Sequence, residues 1–268
     1  TAAAPAFSAV GAGTYHWLGG AVIGVGDVNR DGYDDVAAGA LGFNSYRGRV
    51  YVFHGGPNGL TGSLAAPAFQ VTGTKINSFL GWSVGRAGDV NGDGYDDLVA
   101  GAPGYSMTTD GTNYDETGRA YLFYGGAGGV SGDIANPPFQ MTGEMTRSLH
   151  GWWVAGAGDV NGDGYADMAV GAPGHTNKTG KAYVLHGAGS GWTLSVSGSG
   201  GGRVVSSPAG IDCGAACAAS FSGGALVTLN VVPDAGYVFG GWSGACSGAG
   251  ACVVKMNGAK SVAAVFNP

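Results

Sequence analysis

The chain has 268 residues, room for one large or two modest domains with a sizeable core. Only 11% of residues are charged, 44% are hydrophobic and 56 are Gly, which excludes a disordered or collagen-like chain and favours a turn-rich all-β protein. The net charge of −6 and the lack of a basic stripe exclude nucleic acid as a partner, and no apolar run approaches the roughly 18 residues of a membrane span, so membrane insertion is not expected.

No initiator Met and no signal-like segment stand at the start, so Thr1 reads as the beginning of a processed or excised chain. The first segment, Pro5 to Val10, recurs as Pro67 to Thr72 and Pro138 to Thr142, and reads as a short strand. A second strand is expected at Ala21 to Gly26, Ser83 to Gly88 and Val154 to Gly158. A third follows at Val36 to Ala40, Leu98 to Ala102 and Met168 to Ala172, and a fourth at Arg49 to His54, Arg119 to Tyr124 and Lys181 to His186. Phe7, Phe69 and Phe139 lie 62 and 70 residues apart, whereas Tyr51, Tyr121 and Tyr183 lie 70 and 62 apart. The second repeat therefore carries extra residues between Tyr105 and Gly118. Four strands per repeat at this period are the pattern of propeller blades.

Between the second and third strands stands the most informative stretch, Asp27-Val28-Asn29-Arg30-Asp31-Gly32-Tyr33-Asp34-Asp35. It returns as Asp89 to Asp97 and as Asp159 to Asp167. Oxygen side chains at positions 1, 3, 5 and 9, with Gly at 6 where the backbone turns, are what a hard cation needs from a short loop. The expected ligands are Asp27, Asn29, Asp31, Tyr33 and Asp35; Asp89, Asn91, Asp93, Tyr95 and Asp97; Asp159, Asn161, Asp163, Tyr165 and Asp167, each Tyr through its backbone carbonyl. Position 8 drifts from Asp34 and Asp96 to Ala166, so position 9 is taken as the ligand and position 8 as a bystander. About three Ca²⁺ sites are expected, and three such ions would cancel the net charge of −6. These are not EF-hands, because position 12 is Ala38, Ala100 or Val170 rather than a bidentate Glu. A metal-free turn rich in Asp, Asn and Gly is the competing reading.

The units resemble FG-GAP repeats, the blades of the β-propeller in integrin α-subunits and in many secreted bacterial proteins. The GAP element stands as Gly101-Ala102-Pro103 and Gly171-Ala172-Pro173, degraded to Gly39-Ala40-Leu41; the FG element is Leu18-Gly19, Leu80-Gly81 and His150-Gly151, without its aromatic residue. The resemblance implies calcium loops that stiffen each blade and function carried by surface loops. Such propellers have about seven blades, and three do not close a ring. Pro5 to Val10 resembles the strand that completes a preceding blade. Thr193 to Gly198 either completes the last blade or begins the next domain; in the second case one end carries a spare strand and the other an open edge, which invites head-to-tail strand addition into a ring or filament. A fragment of a longer propeller is the alternative.

The expected domains are 1–192, with three blades, and 193–268, a small all-β domain holding all four cysteines. Here Val204, Val205, Leu226 to Val232 and Ser261 to Phe266 read as strands and Pro233 to Gly236 as a turn. Cys213, Cys217, Cys246 and Cys252 permit three pairings, and their spacings do not suit common zinc sites. Ser207 to Cys213, Gly240 to Cys246 and Lys260 to Phe266 are similar to bacterial surface repeats related to the internalin B repeat. The segment is small for a core of its own, so local staples Cys213 to Cys217 and Cys246 to Cys252 are the expected disulfides. Trp242 is assigned to that core.

The five histidines form no catalytic pattern, and no phosphate loop has a strand-turn-helix context, so no enzyme is expected. Asn177-Lys178-Thr179 matches the glycosylation sequon, a weak signal. Met107 to Glu116 is the one insertion that its sibling repeats lack. Disulfides and calcium loops place the chain outside the cytoplasm. The functional expectation is a secreted bacterial calcium-binding protein with a structural or adhesive role, either self-associating or docking on a protein or glycan surface. A glycan-binding module and a non-catalytic appendage of a secreted hydrolase are the alternatives.

Overall fold

The computed structural model describes residues 7–106, 115–189, 191–214 and 216–268, so residues 107–114 of the insertion lie outside the described residues. The chain packs as two compact units, Thr1–Gly158 with Ala166–Gly187, and Asp159–Tyr165 with Ala188–Pro268. It is nearly all β, as expected.

The first unit contains three antiparallel sheets in a row. Sheet one has the order β1 (Leu18–Gly26), β2 (Asp35–Ala40), β3 (Arg49–Phe53) and β4 (Phe69–Thr72). Sheet two repeats it with β5 (Ser83–Gly88), β6 (Asp97–Ala102), β7 (Arg119–Phe123) and β8 (Phe139–Thr142). Among the described residues sheet three has three strands, β9 (Trp153–Gly158), β10 (Asp167–Ala172) and β11 (Lys181–Leu185). The strands β1, β5 and β9 are neighbours, as the inner strands of successive blades must be.

The second strand of each hairpin is built from small residues, DVAAGA, DLVAGA and DMAVGA, and in the first two sheets its glycine backs onto the following blade. A Cβ added to Gly39 would stand 2.0 Å from the carbonyl oxygen of Gly81, and one on Gly101 would stand 1.9 Å from that of Gly151. Backbone therefore meets backbone at both blade junctions. The core between the first two sheets contains Val25, Val28, Val50, Val52, Leu80, Leu98 and Phe123; the next contains Val90, Val99, Leu122, Val154 and Val170.

Two expectations are corrected. Residues 7–10 form no strand, although Phe69–Thr72 and Phe139–Thr142 do, because among the described residues no sheet edge lies beside them. The Phe7 ring packs instead on Phe53 with centroids 5.1 Å apart. The segment from Thr193 does not complete the last blade: β12 (Trp192–Gly198) runs antiparallel to β15 (Ala216–Phe221) and parallel to β19 (Lys260–Asn267).

The second unit has two four-stranded sheets. One has the order β15, β12, β19 and β17 (Val238–Gly244); the other joins β14 (Asp212–Cys213), β13 (Gly202–Ser207), β16 (Leu226–Pro233) and β18 (Cys252–Lys255). Leu194, Val204, Val227, Trp242, Met256, Val262 and Phe266 fill the space between them. Trp242 is a core residue, its indole N–H donating to the Gly250 carbonyl at 3.0 Å. Cys213 bonds to Cys217 and Cys246 to Cys252. The strands β17 and β18 are not among those expected from the sequence.

Candidate cation loops and an aromatic face

The three acidic loops fold alike because each side chain captures a backbone N–H of its own loop. The Asp27 carboxylate accepts from Asp31 N at 3.1 Å and Gly32 N at 2.9 Å, the Asn29 carbonyl oxygen accepts from Asp31 N at 3.0 Å, and the Asp31 carboxylate accepts from Tyr33 N at 3.0 Å. The same bonds recur from Asp93, Gly94 and Tyr95 at 2.9 to 3.0 Å. They recur again from Asp163, Gly164 and Tyr165 at 2.8 to 2.9 Å. Gly32, Gly94 and Gly164 have φ of 91, 91 and 92°, a conformation that side-chain-bearing residues resist.

Position 9 is different in kind. Asp35, Asp97 and Asp167 are fully buried at the start of a strand. Asp35 accepts from Val28 N at 2.9 Å and Gly55 N at 2.8 Å, and Asp97 from Val90 N and Gly125 N, both at 2.9 Å. Asp167 accepts from Gly187 N at 2.9 Å, with His186 Nδ1 at 3.3 Å. At Asp35 and Asp97 this carboxylate latches the loop to the end of the fourth strand, so its presence there has a structural cause independent of any cation.

Burial pushes the Asp97 carboxyl up to about 7, against the pull of its two N–H bonds and with repulsion from Asp93 and Asp89 added. Burial also raises Asp35 and Asp89. At Asp159 burial acts in the same direction but is outweighed by N–H bonds from Gly164, Asp163 and Gly162 and by Lys255, and the carboxyl is held low. Among the described residues no three carboxylate, imidazole or thiolate groups converge as a ready cage. The donor chemistry nevertheless fits a hard divalent cation: each loop offers carboxylates, an amide oxygen and a Tyr carbonyl, all oxygen, and in the first two loops burial disfavours the negative charge.

Position 8 has a role that the sequence reading missed. Asp96 accepts the N–H of Asp27 in the preceding loop at 3.0 Å and pairs with Arg86 at 2.9 Å. At the third loop, with Ala166 at this position, the backbone bond persists, from Ala166 N to the Asp89 carbonyl at 2.9 Å. Inside the second unit, Tyr165 stacks on Trp192 with centroids 5.1 Å apart, and the Trp192 indole N–H donates to the Asp163 carbonyl.

A second surface feature lies in the loops that enter the first strand of each blade. Trp17, Phe79 and Leu149 occupy equivalent positions with φ of 49, 54 and 55°. Trp17 meets Tyr46 at 5.6 Å, Tyr46 meets Phe79 at 5.6 Å, Phe79 meets Trp82 at 6.1 Å and Trp82 meets Trp152 at 4.5 Å. A row of rings thus crosses all three blades. Trp17, Phe79, Trp82 and Trp152 stand one place before or after an FG element, and Tyr46 joins them from another loop.

The model of the FG-GAP repeat matches residues 19–53, 80–123 and 150–185, and that of the divergent InlB B-repeat domain matches 192–268. The chain carries three FG-GAP repeats. Integrin alpha-PS2 of Drosophila melanogaster is 33% identical over 164 residues, covering 61% of this chain and 11% of that protein. Integrin alpha-5 of Xenopus laevis is 30% identical over 168 residues (62% and 15%), and integrin alpha-IIb of Mus musculus 37% over 119 residues (44% and 11%). The chain therefore spans only a small part of these relatives' length. In these FG-GAP repeats the motif's two glycines have a shared physical reason: Gly81 of one FG element lies on Gly39 of the preceding GAP element, and Gly151 lies on Gly101.

Proposed function

We propose that this is an extracellular, non-catalytic scaffold of bacterial surface type, with blades in 1–192 and a disulfide-bonded domain in 193–268, whose loops bind Ca²⁺ and whose role is structural or adhesive. The observation that carries it is the threefold repetition of one oxygen-lined loop beside a buried carboxylate, Asp97, whose ionisation the fold alone opposes. Ca²⁺ would be held by Asp27, Asn29, Asp31, the Tyr33 carbonyl and Asp35, by Asp89, Asn91, Asp93, Tyr95 and Asp97, and by Asp159, Asn161, Asp163, Tyr165 and Asp167. Bound there, the ion supplies positive charge to the cluster and fixes the loop between two strands. The integrin likeness supports a protein partner outside the cell, and the two disulfides support that location. Self-association through sheet edges belongs to this reading.

Calorimetric titration of chelator-treated protein with Ca²⁺ tests the proposal. Saturable binding at about three sites is expected, and each occupied site adds about 2.7 kcal/mol when free Ca²⁺ is about a hundredfold above its Kd. Absence of binding heat together with an unchanged melt in excess chelator rejects it. The row of rings favours a second reading, a glycan surface, since aromatic faces suit the C–H faces of sugars; binding on a glycan array that Trp82→Ala abolishes would support it.

A further inference from the structure

Blades one and two are each closed by a strand from the following repeat, in one register. Arg49, Val50, Tyr51 and Val52 pair with Thr72, Val71, Gln70 and Phe69; Arg119, Ala120, Tyr121 and Leu122 pair with Thr142, Met141, Gln140 and Phe139. Arg49 Nε donates to Thr72 Oγ1 at 2.6 Å and Nη1 to Gln70 Oε1 at 3.0 Å; Arg119 does the same to Thr142 and Gln140 at 2.7 and 2.9 Å. Phe69 has two tasks. Its backbone closes blade one while its ring packs on Phe123 of blade two at 5.7 Å.

Blade three lacks such a strand among the described residues, and Val184 is 53% exposed where Val52 and Leu122 are 0 and 2% exposed. Trp153 is 68% exposed where its equivalent Ser83 is 4% exposed. At the other end of the row Phe7 performs half of Phe69's work: its ring packs on Phe53, but residues 7–10 pair with no strand among the described residues. In the first strand of blade one Val22 is 62% exposed, where its equivalent Val84 is 6% exposed. The two ends thus present the surfaces that cover each other at the internal junctions.

We propose that the open edge of blade three is completed by Phe7–Val10 of a second copy, with Phe7 opposite Val184, Ser8 opposite Tyr183, Ala9 opposite Ala182 and Val10 opposite Lys181. This rests on the reading of the chain as self-associating and names the edge and the strand. Edge and strand have changed together: β11 has Lys181 where the closed edges have Arg, and the segment has Ser8 and Val10 where the closing strands have Gln and Thr. Lys181 turns instead to Glu144, Nζ to Oε1 at 2.7 Å. Among the described residues β12, the strand that follows blade three in the chain, is engaged in its own sheet. The contact is head-to-tail, so every chain offers both halves, and the product is a ring or a filament.

Sedimentation velocity on the 268-residue chain in Ca²⁺, across a concentration series, tests this. The Val52 carbonyl accepts Ala68 N–H at 3.0 Å, so that residue's backbone faces the outer strand, and Val184→Pro removes the corresponding outward N–H. Wild type is expected to associate, and Val184→Pro and Ala9→Pro each to be monomeric. An equal mixture of the two variants, which leaves one intact edge and one intact strand, should give a dimer and nothing larger. Val184→Glu, which keeps the backbone, should also lose association, and a melt like that of wild type separates this loss from unfolding. A wild-type monomer at every concentration overturns self-association altogether. Oligomers that survive all three substitutions overturn this edge while leaving self-association standing.

Discussion

The Asp96 carboxylate accepts the backbone N–H of Asp27, 69 residues earlier, at 3.0 Å, and the Asp96 N–H donates back to the Asp27 carbonyl at 3.4 Å. Two acidic loops of the same sequence pattern are therefore joined to each other. Asp96→Ala should lower stability by about 1–2 kcal/mol in urea melts, because a partly buried N–H and Arg86 both lose their partner. Asp34→Ala, at the exposed equivalent, should stay within about 0.5 kcal/mol of wild type.

The Asp97 carboxyl, raised to about 7 in the metal-free fold, sets a pH dependence. Its folded pKa lies above the unfolded value, so the folded state binds the extra proton and its stability is full below about 4 and falls as pH rises through about 7. In excess chelator the Tm should therefore drop from pH 5 to pH 8, and Ca²⁺ should restore it most at the alkaline end. Asp97→Asn should flatten the chelator curve.

His150 is fully buried where the second repeat has the buried Leu80, and neither ring nitrogen has a hydrogen-bond partner among the described residues. Burial lowers its pKa to about 4. A depressed folded pKa means stability present above the unfolded value and lost as pH falls from about 6.5 through about 4. His150→Leu should gain about 1–2 kcal/mol at neutral pH, from removal of unsatisfied polar atoms, and more at pH 5. Denaturant melts at the two pH values check it.

Gly101 and Gly171 occupy the same place in successive GAP elements, yet only Gly101 backs onto another blade. Its added Cβ would meet the Gly151 carbonyl oxygen at 1.9 Å, whereas that of Gly171 would meet only Trp153, at 3.7 Å or beyond. Gly101→Ala should cost about 3 kcal/mol, since backbone cannot retreat as a side-chain tip can, and Gly171→Ala less than about 1 kcal/mol. Thermal melts of the two variants, side by side, decide whether the motif glycine serves blade contact.

The sequence by itself determined the elements that depend on neighbours in the chain. The Asp-x-Asn-x-Asp-Gly loops closed as their spacing required, because each carboxylate captures an N–H two to five residues away. The strands Arg49–Phe53, Ser83–Gly88 and Phe139–Thr142 followed from the repeat period and β-branched or aromatic content. Only the tertiary structure decided what depends on residues brought from a distance. Asp35 became a buried latch to Gly55, Asp96 an interblade tie, and five rings from three repeats a single row. The same distinction explains Phe7–Val10 and Phe69–Thr72: two similar segments differ in conformation because a strand needs an adjacent edge, and sequence pattern records a segment's capacity to pair while only packing supplies the partner.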